Sequence, residues 1–188
     1  METHPHFFGY GSLVNRDTHH FTPVHKSRIS GWRRVWHRAP NRPVAFLSVI
    51  ADPDSLIEGV IAPVPNDDWA ALDAREFSYA RVPVTPAVTH DAPDVRNISI
   101  YAIPPGTAAP PDMEHPILLS YVDAVIQGYL REFGEDGAIR FVQTTQGWDT
   151  PIKNDRSAPI YPRARQLSPM EQDCVDDLLV KARARVVA

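Results

Sequence analysis

The chain has 188 residues, 43% hydrophobic and 22% charged, with a formal net charge of −4. That is long enough for one domain with a full core, and too apolar for intrinsic disorder. The mildly acidic balance argues against nucleic acid as the main partner, because phosphate binding leaves a basic footprint. Cys174 is the single cysteine, so neither an internal disulfide nor a cysteine-only metal site can form. It reads as a structural residue of a C-terminal helix. Met1-Glu2-Thr3-His4-Pro5-His6 has no basic region and no long apolar run, and no stretch approaches the roughly 20 apolar residues of a membrane span. A cytoplasmic protein without membrane partners is expected.

In chain order, Phe7-Phe8-Gly9-Tyr10 reads as a strand running into a tight turn at Gly11-Ser12. Runs rich in Val, Ile, Phe and Trp at 28–37, 44–50 and 57–63 predict three more strands. Asn66 is placed to N-cap a short helix through Ala74, with Asp67 and Asp68 in its first turn. Residues 77–90 and 95–103 then read as strands, Pro83 and Pro86 marking an edge or a bulge.

From Pro116, at the first helical position, Ile117, Leu118, Tyr121, Val122, Val125, Ile126, Tyr129, Leu130 and Phe133 form an apolar stripe at helical spacing as far as Gly134. A shorter helix is predicted over 135–144. The last helix opens on a capping box, Ser168-Pro169-Met170-Glu171. Residues 147–167 between them form a proline-rich loop.

Strands first and helices afterwards is an α+β order, not the alternation of a doubly wound sheet. The whole chain, 1–188, is expected to form a single domain, with a β-rich core over 6–105 and a helical part over 116–188 packed on it. Gly9-x-Gly11 does not complete a dinucleotide fingerprint, because residue 14 is Val.

Two segments carry candidate chemistry. In Phe8-Gly9-Tyr10-Gly11-Ser12-Leu13, a strand entering a glycine-flanked turn presents successive backbone N–H groups to an anion such as a carboxylate. Glycine there allows close approach and positive φ. The plainer reading is a strand-end turn with no ligand. In Leu72-Asp73-Ala74-Arg75-Glu76-Phe77-Ser78-Tyr79-Ala80-Arg81, a carboxylate sits where a helix hands over to a strand, beside apolar residues that would raise its pKa toward neutrality. The plainer reading is a surface Glu76 paired with Arg75 or Arg81.

Together these segments resemble the gamma-glutamylcyclotransferase-like superfamily, including its AIG2-like and ChaC-type branches. The resemblance rests on Tyr10-Gly11-Ser12 at the end of the first strand, followed at the family's separation by Leu72, Asp73, Glu76, Tyr79 and Arg81. It covers 6–105. Leu13 stands where many members carry Asn, as in the ChaC-type branch, and the 147–167 loop does not map onto the family's best-known enzymes.

The resemblance implies a mixed β-sheet or small barrel with flanking helices. It implies an enzyme that cyclises a γ-glutamyl compound to 5-oxoproline, releasing an amine or amino acid. Glu76 would be the catalytic acid/base, and Gly9, Tyr10, Gly11, Ser12 and Leu13 would cradle the substrate. Tyr10 and Tyr79 would wall the pocket or hydrogen-bond to Glu76. The only partner implied is the small-molecule substrate, and neither metal nor organic cofactor is called for. The alternative is a binding module that keeps the cradle for a carboxylate-bearing metabolite. The oligomeric state is open.

Three other features compete. The chain has eight histidines, but none forms a metal-binding helix pair beside a carboxylate. The stretch 28–38 mixes arginines with Trp32 and Trp36, as single-strand nucleic-acid platforms do. Strand alternation puts Trp32, Arg34 and Trp36 on one face, and the more ordinary expectation is a core-lining strand whose arginines snorkel or pair with acids. Asn154-Asp155-Arg156 and Tyr161-Pro162-Arg163 either close over a pocket mouth or connect structurally to Ser168.

Overall fold

The run Phe7-Phe8 forms the centre of a mixed sheet, in a computed structural model that describes residues 3–188. Met1 and Glu2, part of the N-terminal reading above, lie outside the described residues. Strand β1 (His4–Gly9) is buried from Pro5 onward, His6 included, as befits a strand covered on both faces. It pairs antiparallel with β3 (Phe46–Pro63) and parallel with β6 (Val95–Ala102). Outward from β6 lies β4 (Ala80–Pro83), and outward from β3 lies β2 (His25–His37). β5 (Val88–His90) and β8 (Thr145–Gln146) both add to β2, and the sheet curls into a half-barrel. The α+β expectation stands.

Two strand predictions need correction. Runs 44–50 and 57–63 are one strand, β3, in which Asp52-Pro53-Asp54-Ser55 is absorbed as a bulge. Opposite Gly31 (φ 79°) the register jumps from Ser30↔Leu56 to Trp32↔Ala51. Residues 77–90 are two strands, because a 3-10 turn over Thr85–Ala87 separates β4 on one side of the sheet from β5 on the other. Asn66 is also not a helix cap. It has φ 56°, and α1 (Ala70–Arg75) begins after a separate 3-10 turn, with the Asp68 carboxylate accepting from Ala70 N at 3.1 Å.

Helix α2 (Leu119–Gln143) breaks at Gly134, φ 71°, into the long and short helices the spacing predicts. It starts later than Pro116, because Ile117–Leu118 form β7 of a second, parallel sheet with β9 (Pro151–Lys153) and β10 (Arg185–Val187). The C-terminal part is therefore not purely helical. Helix α3 (Pro169–Lys181) carries the complete Ser168/Glu171 capping box and the half-buried Cys174.

Alternation along β1 sends its two phenylalanines to opposite faces. Phe8 joins the main core with Ile29, Trp36, Ile61 and the buried stripe of α2. Phe7 joins a smaller cluster with Leu13, Ala62, Val64, Leu72 and Tyr101, against α1.

Arg34 departs from expectation. It does not snorkel and forms no ion pair among the described residues but is buried, 1% exposed, among neutral acceptors. Its guanidinium donates to the Glu58 carbonyl (2.8 Å), Tyr129 Oη (2.9 Å) and Thr145 Oγ1 (3.1 Å), over the rings of Tyr129 and Phe141. Burial lowers its pKa. With Trp36 equally buried, these two side chains cannot stack on a nucleic-acid base. Among the described residues no helix is long and apolar enough to cross a membrane.

Candidate active site

The loop that leaves β1 is held from three sides. A 3-10 turn over Ser12–Val14 follows Gly11, and its leading N–H groups have no acceptor within the turn. Asn15 fixes the loop to α2, donating to the Ala124 carbonyl (2.9 Å) and Gln127 Oε1 (3.0 Å). The helix can approach because residue 128 is glycine; a Cβ there would lie 2.7 Å from Asn15 N. Tyr129 Oη accepts from Arg34 and lies 2.9 Å from the Tyr10 carbonyl, so the buried arginine steadies the start of the loop.

The glycines serve close approach. Gly11 has φ −118°, not the positive φ the sequence suggested. A Cβ on it would come within 2.9 Å of Tyr121 Oη, and one on Gly9 within 2.7 Å of Leu13 Cβ.

Glu76 is the residue that ends α1; its N–H donates to the Leu72 carbonyl at 2.8 Å, and Leu72 is fully buried. The adjacent Arg75 joins this helix end to the loop. Its Nη1 donates to the Thr18 carbonyl (2.9 Å), its Nη2 to Ser12 Oγ (3.0 Å), and its Nε lies 3.2 Å from Glu76 Oε1. The ion pair with Arg75 is thus real but belongs to the pocket rather than to an exposed surface. The Glu76 side chain is 20% exposed and that of Arg75 8%. Arg81 turns away, over the Trp69 ring and 3.9 Å from Asp73.

Burial pushes the Glu76 carboxyl above the usual range, and Arg75, Arg42 and Arg163 partly offset that rise. The Tyr10, Tyr79 and Tyr121 hydroxyls are held up chiefly by burial, so they remain neutral near Glu76.

The structure brings Gly9, Tyr10, Gly11, Ser12, Leu13 and Glu76 around one recess of about 30 Å³. A second space of about 90 Å³, also lined by Ser12 and Glu76, adds Tyr79, Arg42, Arg75, Tyr161 and Arg163. The Tyr79 ring walls this space, but its hydroxyl does not bond to the Glu76 carboxylate, since it donates to the Leu47 carbonyl at 2.8 Å; only the Tyr79 backbone N–H meets Glu76, at its carbonyl (3.0 Å). The Tyr10 hydroxyl is likewise spent, on the Tyr101 carbonyl at 2.7 Å.

Sequence reasoning missed Arg42 and Tyr121 as lining residues. Tyr121 was visible only as part of the helical stripe, and Arg42 gave no signal. Tyr161-Pro162-Arg163 was singled out but left open between two roles. The 147–167 loop proves to be divided. Asp155 accepts from Ser120 N (2.8 Å) and Arg156 pairs with Asp123 (2.8 Å), which makes that part a structural connector. Tyr161, Pro162 and Arg163 line the pocket. A single carboxylate among cations and neutral phenols can exchange protons with a bound anionic molecule. Among the described residues no group of three or more His, Cys, Asp or Glu side chains is arranged to hold a metal ion.

No protein-family model and no curated protein matches the sequence. Solved structures do match. A gamma-glutamyl cyclotransferase aligns with TM-score 0.54 at 13% identity, over 92% of this chain and 98% of its own. An uncharacterized protein from Homo sapiens aligns with TM-score 0.58 at 14% identity, over 93% and 99%. YkqA from Bacillus subtilis aligns with TM-score 0.55 at 16% identity, over 78% of this chain and 57% of its own. The curled mixed sheet with its flanking helices is the gamma-glutamylcyclotransferase-like fold.

Proposed function

We propose that the chain is an enzyme that cyclises a γ-glutamyl compound to 5-oxoproline and releases the attached amine or amino acid. The observation that carries this reading is the meeting of Glu76 with the Gly9–Leu13 loop in one recess. The neighbour in fold named gamma-glutamyl cyclotransferase supplies the reaction class.

In this mechanism the substrate's α-carboxylate rests on the free N–H groups at the start of the Ser12–Val14 turn. The α-nitrogen attacks the γ-carbonyl carbon, and the bond from that carbon to the leaving nitrogen breaks. The α-ammonium loses two protons in becoming the lactam N–H, and the leaving amide nitrogen gains two in becoming an ammonium. Glu76 accepts from the first and delivers to the second. Its raised pKa suits the exchange, because it makes the carboxylate a stronger base toward the ammonium and brings its proton affinity nearer neutrality, where it can be taken up and handed on. Enclosure of the folded conformer contributes the rest, since the reaction is intramolecular.

The test is 5-oxoproline release by purified protein, read by mass spectrometry over glutathione, γ-glutamyl dipeptides and γ-glutamyl amines. Release that disappears in Glu76→Gln supports the proposal. Silence from folded protein across the panel favours a binding module for a carboxylate-bearing metabolite.

A further inference from the structure

The pocket is overloaded with positive charge. Three guanidiniums, those of Arg42, Arg75 and Arg163, line the space around one carboxylate, Glu76. Arg75 is committed to Glu76, Ser12 and Thr18. The other two form no ion pair among the described residues, and the Arg163 side chain makes no hydrogen bond there.

Arg42 is held rigidly but left incomplete. Its Nη2 donates to the Arg75 carbonyl (3.1 Å) and the Phe77 carbonyl (2.8 Å), and its guanidinium stacks 3.5 Å over the Phe77 ring. Its Nε is buried without a hydrogen-bond partner. A half-buried cation without a counter-ion is costly unless a ligand supplies one.

Arg163 has a position to match. It lines the small pocket, and together with Arg75 it also lines a neighbouring cleft of about 620 Å³, walled by His19, Phe21 and Leu72. A group attached to the glutamyl moiety would emerge past it.

We infer that Arg42 and Arg163 recognise a carboxylate on the leaving half of the substrate, so that the chain selects γ-glutamyl amino acids or peptides over γ-glutamyl amines. This rests on the cyclotransferase reading, in which the loop N–H groups already serve the glutamyl α-carboxylate. The two spare cations then face a second anion. Arg163 lies in the 147–167 loop, outside the motifs that carry the resemblance, so the preference rests on this chain's own residues.

The experiment compares γ-glutamylalanine with γ-glutamylethylamine, the same molecule without the leaving-half carboxylate. Wild-type kcat/KM is expected to favour γ-glutamylalanine. In Arg163→Met, a position with no internal partner to lose, that preference shrinks by about tenfold to a hundredfold, the range of a charge-assisted hydrogen bond. Arg42→Met is expected to act in the same direction. An unchanged ratio, or an equal fall for both substrates, overturns the assignment, because the arginine then serves the glutamyl half or the fold.

Binding is measured in parallel by calorimetry on Glu76→Gln protein. If wild type turns over neither compound but γ-glutamylalanine binds in an Arg163-dependent way, the cyclotransferase reading fails and the anion subsite stands. If binding does not discriminate between the two ligands, the subsite falls as well.

Discussion

Arg75 Nε lies 3.2 Å from Glu76 Oε1, while Nη2 of the same guanidinium donates to Ser12 Oγ at 3.0 Å. One side chain thus locks the two segments that carry the chemistry, although the chain separates them widely. The arginine also moderates the rise in the Glu76 pKa.

Arg75→Met should therefore raise that pKa further. The base form of Glu76 would then predominate only above a higher pH, so the acidic limb of kcat/KM against pH moves upward. A variant whose limb stays in place or moves to lower pH contradicts the electrostatic role. Ser12 and Thr18 lose a donor in the same variant, so its melting temperature should fall at every pH.

Glu76→Gln should reduce turnover by about a hundredfold to ten-thousandfold, the usual contribution of a general acid–base. Its effect on stability has the opposite sign. The folded-state pKa lies above the unfolded value, so folding the ionised group costs free energy at pH values above the unfolded pKa. The neutral variant escapes that cost, and should melt higher than wild type at pH 7. The gain should fade below about pH 4, where the carboxyl is protonated in both states. Thermal melts at the two pH values check this.

Gly11→Ala tests close approach rather than backbone freedom. The added methyl would sit 2.9 Å from Tyr121 Oη and push apart two walls of the recess. A displacement of this size should lower kcat/KM by about tenfold to a hundredfold. Tyr121→Phe in the same protein removes the clashing oxygen and should restore much of the loss. A double variant no better than Gly11→Ala would place the damage elsewhere.

Tyr129→Phe should destabilise the protein by about 1–3 kcal/mol in urea unfolding. It removes an acceptor of the buried Arg34 and the contact to the Tyr10 carbonyl. A change near zero would mean that Arg34 finds another acceptor.

Strands β1, β2 and β6, the break at Gly134 and the Ser168 capping box were legible because each has a local cause: periodicity, a glycine outside the helical region, a side chain with one use. Asn66 misled for a local reason too, as its capping chemistry is sound, but Pro65 draws it into a 3-10 turn instead. β7 was hidden because Ile117 and Leu118 satisfy a helical stripe and a strand equally, and only pairing with β9 decides. The loop and Glu76 were visible as motifs. Arg42 beside them was not, since it reaches the pocket from a segment whose local sequence says nothing of what it faces, and Arg163 was visible only as one of two open roles for its loop. Arg34 shows the same limit, its burial depending on α2 and β8, which lie far along the chain.

The measurement that bears most directly on the central claim is turnover of a γ-glutamyl dipeptide in water enriched in oxygen-18, with products resolved by mass spectrometry. Intramolecular attack by the α-nitrogen needs no water, so the account predicts unlabelled 5-oxoproline as the product, absent in Glu76→Gln. Free glutamate carrying the heavy oxygen would contradict it, because water rather than the substrate's own amine would then be the nucleophile.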